Sequence, residues 1–201
     1  MVLSRVADAT LEDGLPLTPE AFDRCIQLID EGVKVELLDG RVHMPPPAGD
    51  SHATGQNLLQ VWIGTYAILT PGVEARDDAL VRLPAGHRVA PDGMLCREGT
   101  LQPEPDGFLS GMPGLVAEIA VASAGTDLVR KRRIYEEAGV PEYIVWVVRE
   151  AKLFWFRLVD GRYEVVEPDE DGVIESTAFP GLRLPVTRLL AGDRRAVLPG
   201  G

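Results

Sequence analysis

Residues 115–148 read LVAEIAVASAGTDLVRKRRIYEEAGVPEYIVWVV, and their pattern decides the fold. Leu115 to Val121 is apolar on both alternations except at Glu118, the pattern of a central strand covered on both faces. Asp127 to Ala138 reads as a helix stopped by Gly139 and Pro141. Tyr143 to Val148 is a second near-continuous apolar run. Strand, crossover helix and strand form a βαβ unit, so the sheet contains a parallel pair.

Working outward, Thr18-Pro19-Glu20 starts a helix, with Thr18 as N-cap and Pro19 at the first helical position. Phe22, Ile26 and Ile29 supply its stripe, and Gly32 is placed to stop it after about three turns. Val35–Leu38 and Arg41–Met44 flank Asp39-Gly40, the signature of a tight β-hairpin. The proline run 45–47 delivers the chain to a second helix over Ser51–Leu69, buried through Leu58, Leu59, Trp62, Tyr66 and Leu69. Strands are expected at Val73–Ala75, Ala79–Leu83 and Val89–Cys96, then an irregular loop over 97–114. Lys152–Leu158 and Tyr163–Val166 form a hairpin across Asp160-Gly161, in a β-rich region that ends near Leu190. The fold class is α/β, with a central mixed sheet, flanking helices and extra hairpins. Residues 1–17 read as a lead-in, 18–190 as one domain and 191–201 as a tail.

Composition removes several functional classes. A chain of 201 residues with 45% hydrophobic content can bury roughly 70% of its unfolded surface without staples. Two cysteines and three histidines, with no Cys-x-x-Cys or His-Glu-x-x-His spacing, argue against a disulfide scaffold or a zinc site. No apolar run approaches the roughly 18 residues needed to span a bilayer, and the acidic start is unlike a secretory signal. A soluble protein of a reducing cytoplasm is expected. The net charge of −11 repels nucleic acid at long range, so a phosphate-binding surface must be local. Phosphate-loop, dinucleotide-binding and nucleophile-elbow motifs are absent. Only Lys34, Lys131 and Lys152 are lysine among 20 basic residues, which singles each of them out.

Polar residues in apolar settings are the candidates for chemistry. Glu118 would cost several kcal/mol at the centre of a buried strand unless paired with a cation, whether an arginine or a metal. Asp92 is the one aspartate of three Pro-Asp pairs that enters an apolar strand; its alternative is a solvated turn. Lys131 lies four residues after Asp127 on one helix face, suited either to an intrahelical pair or to reaching a group held by Glu118. Arg130, Arg132 and Arg133 read as solvated surface. Glu36 either adds a carboxylate or pairs with an arginine across the hairpin. His52 opens the second helix as a capping residue or a substrate contact. Two carboxylates and an ammonium converging on one point would suit Mg²⁺ and metal-assisted phosphodiester hydrolysis.

The ordered set Val35–Gly40, the proline run with His52, Pro91-Asp92, Leu115–Ile119, Ser123, Asp127-x-x-x-Lys131, Tyr135, Gly139–Tyr143 and Trp146 resembles the Uma-two family of the restriction-endonuclease-like PD-(D/E)XK superfamily. The resemblance runs from about Thr18 to Leu190. It implies a restriction-endonuclease-like core and an endonuclease using Mg²⁺ or Mn²⁺ on DNA. Asp92 and Glu118 would be metal ligands, Glu36 a helper, and Lys131 the lysine on the scissile phosphate. The superfamily's Glu-x-Lys is here Glu118-Ile119-Ala120, the lysine having moved to the following helix. His52, Ser123, Asp127 and Tyr135 are expected to line the substrate, and a homodimer is expected by analogy. Two other readings stay open: a nuclease fold that no longer cuts and serves as a binding or partner module, and hydrolysis of a smaller phosphoester.

Overall fold

The computed structural model describes residues 4–6, 9–29, 32–47, 49–121 and 125–200. In chain order these form β1 (Ser4–Val6), β2 (Ala9–Leu11), α1 (Pro19–Ile26), β3 (Glu36–Leu38), β4 (Arg41–His43), α2 (Asp50–Leu69) and β5 (Val73–Arg76). There follow β6 (Val81–Arg82), β7 (Arg88–Val89), β8 (Gly93–Arg97), β9 (Leu101–Pro103), β10 (Leu109–Gly111) and β11 (Leu115–Ala120). A π-helical turn over Thr126–Lys131 leads into α3 (Arg132–Ala138). The chain continues through β12 (Glu142–Val147), β13 (Lys152–Val159), β14 (Arg162–Val165), β15 (Ile174–Glu175), β16 (Arg183–Leu184) and α4 (Val186–Leu190).

The central sheet has the order β14-β13-β12-β11-β8-β5, with β11 and β12 parallel and the other neighbours antiparallel. The expected βαβ unit is therefore present. Alternation along β11 sends Leu115, Ala117 and Ile119 to one face, where Leu59, Trp62 and Ile63 of α2 cover them. Val116 and Ala120 go to the other face, against Ile134 and Tyr135 of α3. A second sheet, of order β4-β3-β7-β6-β10-β9, supplies Val81, Val89 and Leu109 to that same layer. Glu118 shares the parity of Val116 and Ala120, so the fold directs its carboxylate toward α3.

Both hairpin turns are as the sequence predicts. Asp39 and Gly40 have φ of 49° and 67°, and Asp160 and Gly161 have 49° and 79°, the doubly positive φ that the favoured two-residue hairpin requires. Thr18 caps α1 through Ala21 N–H at 3.2 Å. The helix stops at Ile26, earlier than Gly32 suggests. The ends of the chain contribute to the core, Leu11 at one end and Ala196 and Val197 at the other.

Three expectations are corrected. Val89–Cys96 is not one strand: β7 belongs to the second sheet and β8 to the central one, with the crossover at Ala90–Asp92. Pro91 has no N–H for a ladder, and neighbouring groups satisfy the crossover backbone: Ala90 N–H donates to Glu36 Oε1 (2.9 Å) and Gln60 Nε2 donates to the Asp92 carbonyl (2.6 Å). Residues 97–114 are not all loop. They hold the β9–β10 hairpin, and β10 runs parallel to β6 with Phe108 buried beneath the Arg82 guanidinium. Arg130 and Arg133 are not simply solvated, because both bind Asp39 at the β3–β4 turn, at 2.9 and 2.6 Å.

Candidate active site

Four segments bring acids together. Glu36 stands on β3, Asp92 in the crossover immediately before β8, Glu118 on β11 and Asp127 in the π turn, and all four are buried. The register brings Asp92 to β11: Gly93 lies opposite Ala117 at the end of the antiparallel ladder, and just beyond it Ile119 N–H donates to Asp92 Oδ2. Gly93 itself permits close approach of α2, since a Cβ there would lie 2.9 Å from Ile63 Cδ1 and Leu59 Cδ2. That approach delivers His52 and Gln60 to Asp92.

Lys131 enters from the opposite side. The wide π turn keeps Asp127 and Lys131 on the same inward face. The ammonium lies 2.9 Å from Glu118 Oε1, 2.9 Å from Glu36 Oε2 and 4.0 Å from Asp127 Oδ1. The Glu36 contact is an ion pair without hydrogen-bond alignment, and among the described residues Glu36 Oε2 has no hydrogen-bond partner. Burial opposes the charge of Lys131, but the fields of Glu118, Glu36 and Asp127 prevail and raise its pKa well above the ordinary lysine value. Glu118 takes a second hydrogen bond, from the Tyr135 hydroxyl at 3.1 Å.

Asp92 is held differently. Oδ2 accepts from Ile119 N–H at 2.7 Å and lies 3.2 Å from His52 Nε2, while Oδ1 is 2.6 Å from Lys34 Nζ. Burial works against its ionisation, yet the His52 hydrogen bond, the Lys34 ammonium and the Ile119 amide hold its carboxyl far below the usual carboxylate range. Glu118 behaves oppositely. Burial dominates, the neighbouring Asp92 charge adds to it, and despite Lys131 its pKa is pushed up to about 8. The two carboxylates are thus shifted in opposite directions, a divergence typical of sites that do acid–base or metal chemistry.

Asp92, Glu118, Asp127, Lys131, Lys34 and His52 all line one cleft of about 950 Å³. Of the residues expected at the site, Glu36 and Tyr135 sit behind this wall and contact the groups that line it, and Ser123 lies outside the described residues. Sequence reasoning overlooked Lys34 as a member of the site. Its signal was the scarcity of lysine in the chain, and the contact it makes with Asp92 spans 58 positions.

Among the described residues no group of three or more His, Cys, Asp or Glu is arranged to hold a metal ion. The donor chemistry nevertheless suits Mg²⁺, which binds through one or two carboxylates and keeps several waters. When ionised, the buried carboxylates Glu36, Asp92, Glu118 and Asp127 outnumber the ammoniums of Lys34 and Lys131 by two, which one divalent cation would balance. Asp92, Glu118 and Asp127 are the carboxylates on the cleft wall that could hold it. Among the described residues, no helix is long and apolar enough to cross a membrane.

The protein is a mixed α/β fold whose central sheet, with the parallel pair β11–β12, carries a buried carboxylate–lysine cleft. Residues 19–187 match the model of the Uma2 family, described as "Putative restriction endonuclease", and the chain belongs to that family. It is similar in fold to a crystal structure described as "a putative nuclease belonging to DUF820 from Anabaena variabilis", with a TM-score of 0.71 and 17% identity over 91% of this chain and 100% of that one. No curated protein matches the chain.

Proposed function

We propose that the protein is a divalent-metal-dependent endonuclease that hydrolyses DNA phosphodiester bonds, with Mg²⁺ or Mn²⁺ held by Asp92 and Glu118. The observation that carries this reading is the convergence of Asp92, Glu118, Asp127 and Lys131, all buried, on a single cleft. Buried charges are costly unless they pair or bind a cation, and this set is rich in anions even after its lysines are counted. Family membership supports the same reading. When bound, the ion would polarise a phosphoryl oxygen and lower the pKa of a coordinated water.

The chain's own residues then have distinct tasks. Ile119 N–H and His52 fix the orientation of Asp92. Tyr135 and Lys131 fix Glu118, and Glu36 holds Lys131 in place while accepting from Ala90 N–H. Glu36 and Tyr135 are therefore positioning residues. The charge of Lys131, at the cleft wall, also acts through space on a phosphodiester bound there. Asp127 and His52 line the cleft where the substrate would lie.

The test is nicking of supercoiled DNA with Mg²⁺ or Mn²⁺. Wild-type protein should nick it, and Asp92→Ala and Glu118→Ala should lose the activity while keeping wild-type circular dichroism. Equal residual nicking in all three would refute the proposal.

A further inference from the structure

Two lysines serve the cleft, and they differ in freedom. Lys131 is 4% exposed and shared between buried Glu36 and Glu118, so departure would strand two buried carboxylates. Lys34 lies just before β3 with a side chain 25% exposed, and its ammonium touches two acids at once: Asp92 Oδ1 at 2.6 Å and Asp78 Oδ1 at 3.0 Å. The second acid is a prepared resting place. Asp78 is half exposed, Gln56 Nε2 on α2 donates to its other oxygen at 2.8 Å, and its own N–H donates to the Pro91 carbonyl at 2.9 Å. Asp92 commits Oδ2 to Ile119 N–H and His52, so among the described residues Oδ1 is held by the ammonium alone.

We propose that Lys34 is an exchangeable internal counter-cation: it neutralises Asp92 Oδ1 while the cleft holds no divalent ion, and it moves wholly onto Asp78 when such an ion takes that oxygen. The inference rests on Asp92 being an ion ligand, as proposed above. An ammonium and a divalent cation on one carboxylate oxygen would repel strongly in a partly buried site, so one must yield. Lys34 is the group with somewhere to go. From Asp78 its partly exposed ammonium remains in the cleft, where a substrate phosphate can meet it.

The scarcity of lysine makes the exchange directly observable. Full-length protein labelled with ¹⁵N-lysine has three side-chain ammonium groups, on Lys34, Lys131 and Lys152, the last being 60% exposed and serving as a control. Addition of Mg²⁺ should move the Lys34 resonance and speed its proton exchange, and leave the exchange of Lys131 unchanged. Calorimetric titration with Mn²⁺ gives an independent readout. Lys34→Met should bind Mn²⁺ on the order of tenfold more tightly, the scale of removing one nearby like charge. Asp78→Asn should weaken binding several-fold in wild type and far less in the Lys34→Met background, because Asp78 acts by receiving the lysine. Mn²⁺ binding with an unmoved Lys34 resonance, or an equal Asp78→Asn effect in both backgrounds, overturns the exchange and leaves the ion site standing. Absence of Mn²⁺ binding in wild type and Lys34→Met overturns the proposed function and the exchange with it.

Discussion

Lys131→Met is the perturbation whose consequence follows most directly from the geometry. The ammonium is almost wholly buried and lies 2.9 Å from an oxygen of Glu36 and 2.9 Å from one of Glu118. Methionine fills a similar volume and removes the charge, leaving two carboxylates that are 0% and 3% exposed without their ammonium. Breaking a buried pair from one side costs about 3–5 kcal/mol. For a chain of this size that lowers Tm by roughly 6–20 °C, at about 2–4 °C per kcal/mol. The loss should shrink at acid pH, where Glu118 is protonated, and Glu118→Gln added to Lys131→Met should recover part of it. The assay is thermal and urea unfolding at pH 5 and pH 8, with exposed Lys152→Met as a control expected to change nothing measurable. A Lys131→Met protein within about 1 kcal/mol of wild type, below the range for a broken buried pair, would refute the role of Lys131 as the buried counter-charge of Glu36 and Glu118.

Three further outcomes follow from the same site. The folded-state pKa of Glu118 is raised from 4.5 to about 8, so its contribution to stability is fully present below pH 4.5 and is lost as pH rises to about 8; urea titrations of wild type and Glu118→Gln should diverge over that window, and parallel curves would contradict it. Asp92 has the opposite sign: its folded pKa is depressed, so its contribution is present above 3.8 and lost as pH falls below it. Wild type should therefore lose stability on acidification more steeply than Asp92→Asn, as read by fluorescence. Gly93→Ala would place a methyl 2.9 Å from Ile63 and Leu59 side-chain carbons and 3.1 Å from Gln60 Nε2, costing about 1–3 kcal/mol of overpacking. Unchanged urea unfolding of that variant would show that α2 can move off the sheet.

Much of this arrangement is legible in one dimension because its causes are local. Asp39-Gly40 announces a turn because both residues must take positive φ. Glu118 stands out because a carboxylate interrupts an otherwise apolar strand, and Lys131 because Asp127 precedes it by one helical turn. What escapes is tertiary. The chain changes sheets at Pro91, where Glu36 and Gln60 side chains stand in for ladder partners, and nothing in Val89–Cys96 reveals those distant donors and acceptors. The β9–β10 pair hides in a Gly- and Pro-rich composition, because its short strands are held by the Phe108 anchor rather than by a period of their own. Lys34 carries no local signal of a contact formed 58 residues away. Tyr135, expected against substrate, turns its hydroxyl to Glu118 because α3 packs its ring beneath β11.

The central claim is that Asp92 and Glu118 share one divalent cation. The most direct measurement is anomalous scattering from crystals soaked in Mn²⁺. One peak is expected between the two carboxylates, about 2.1 Å from an oxygen of each, with Lys34 displaced from Asp92. A peak elsewhere, or none, with the Lys34 ammonium still seated on Asp92 at saturating Mn²⁺, would contradict it.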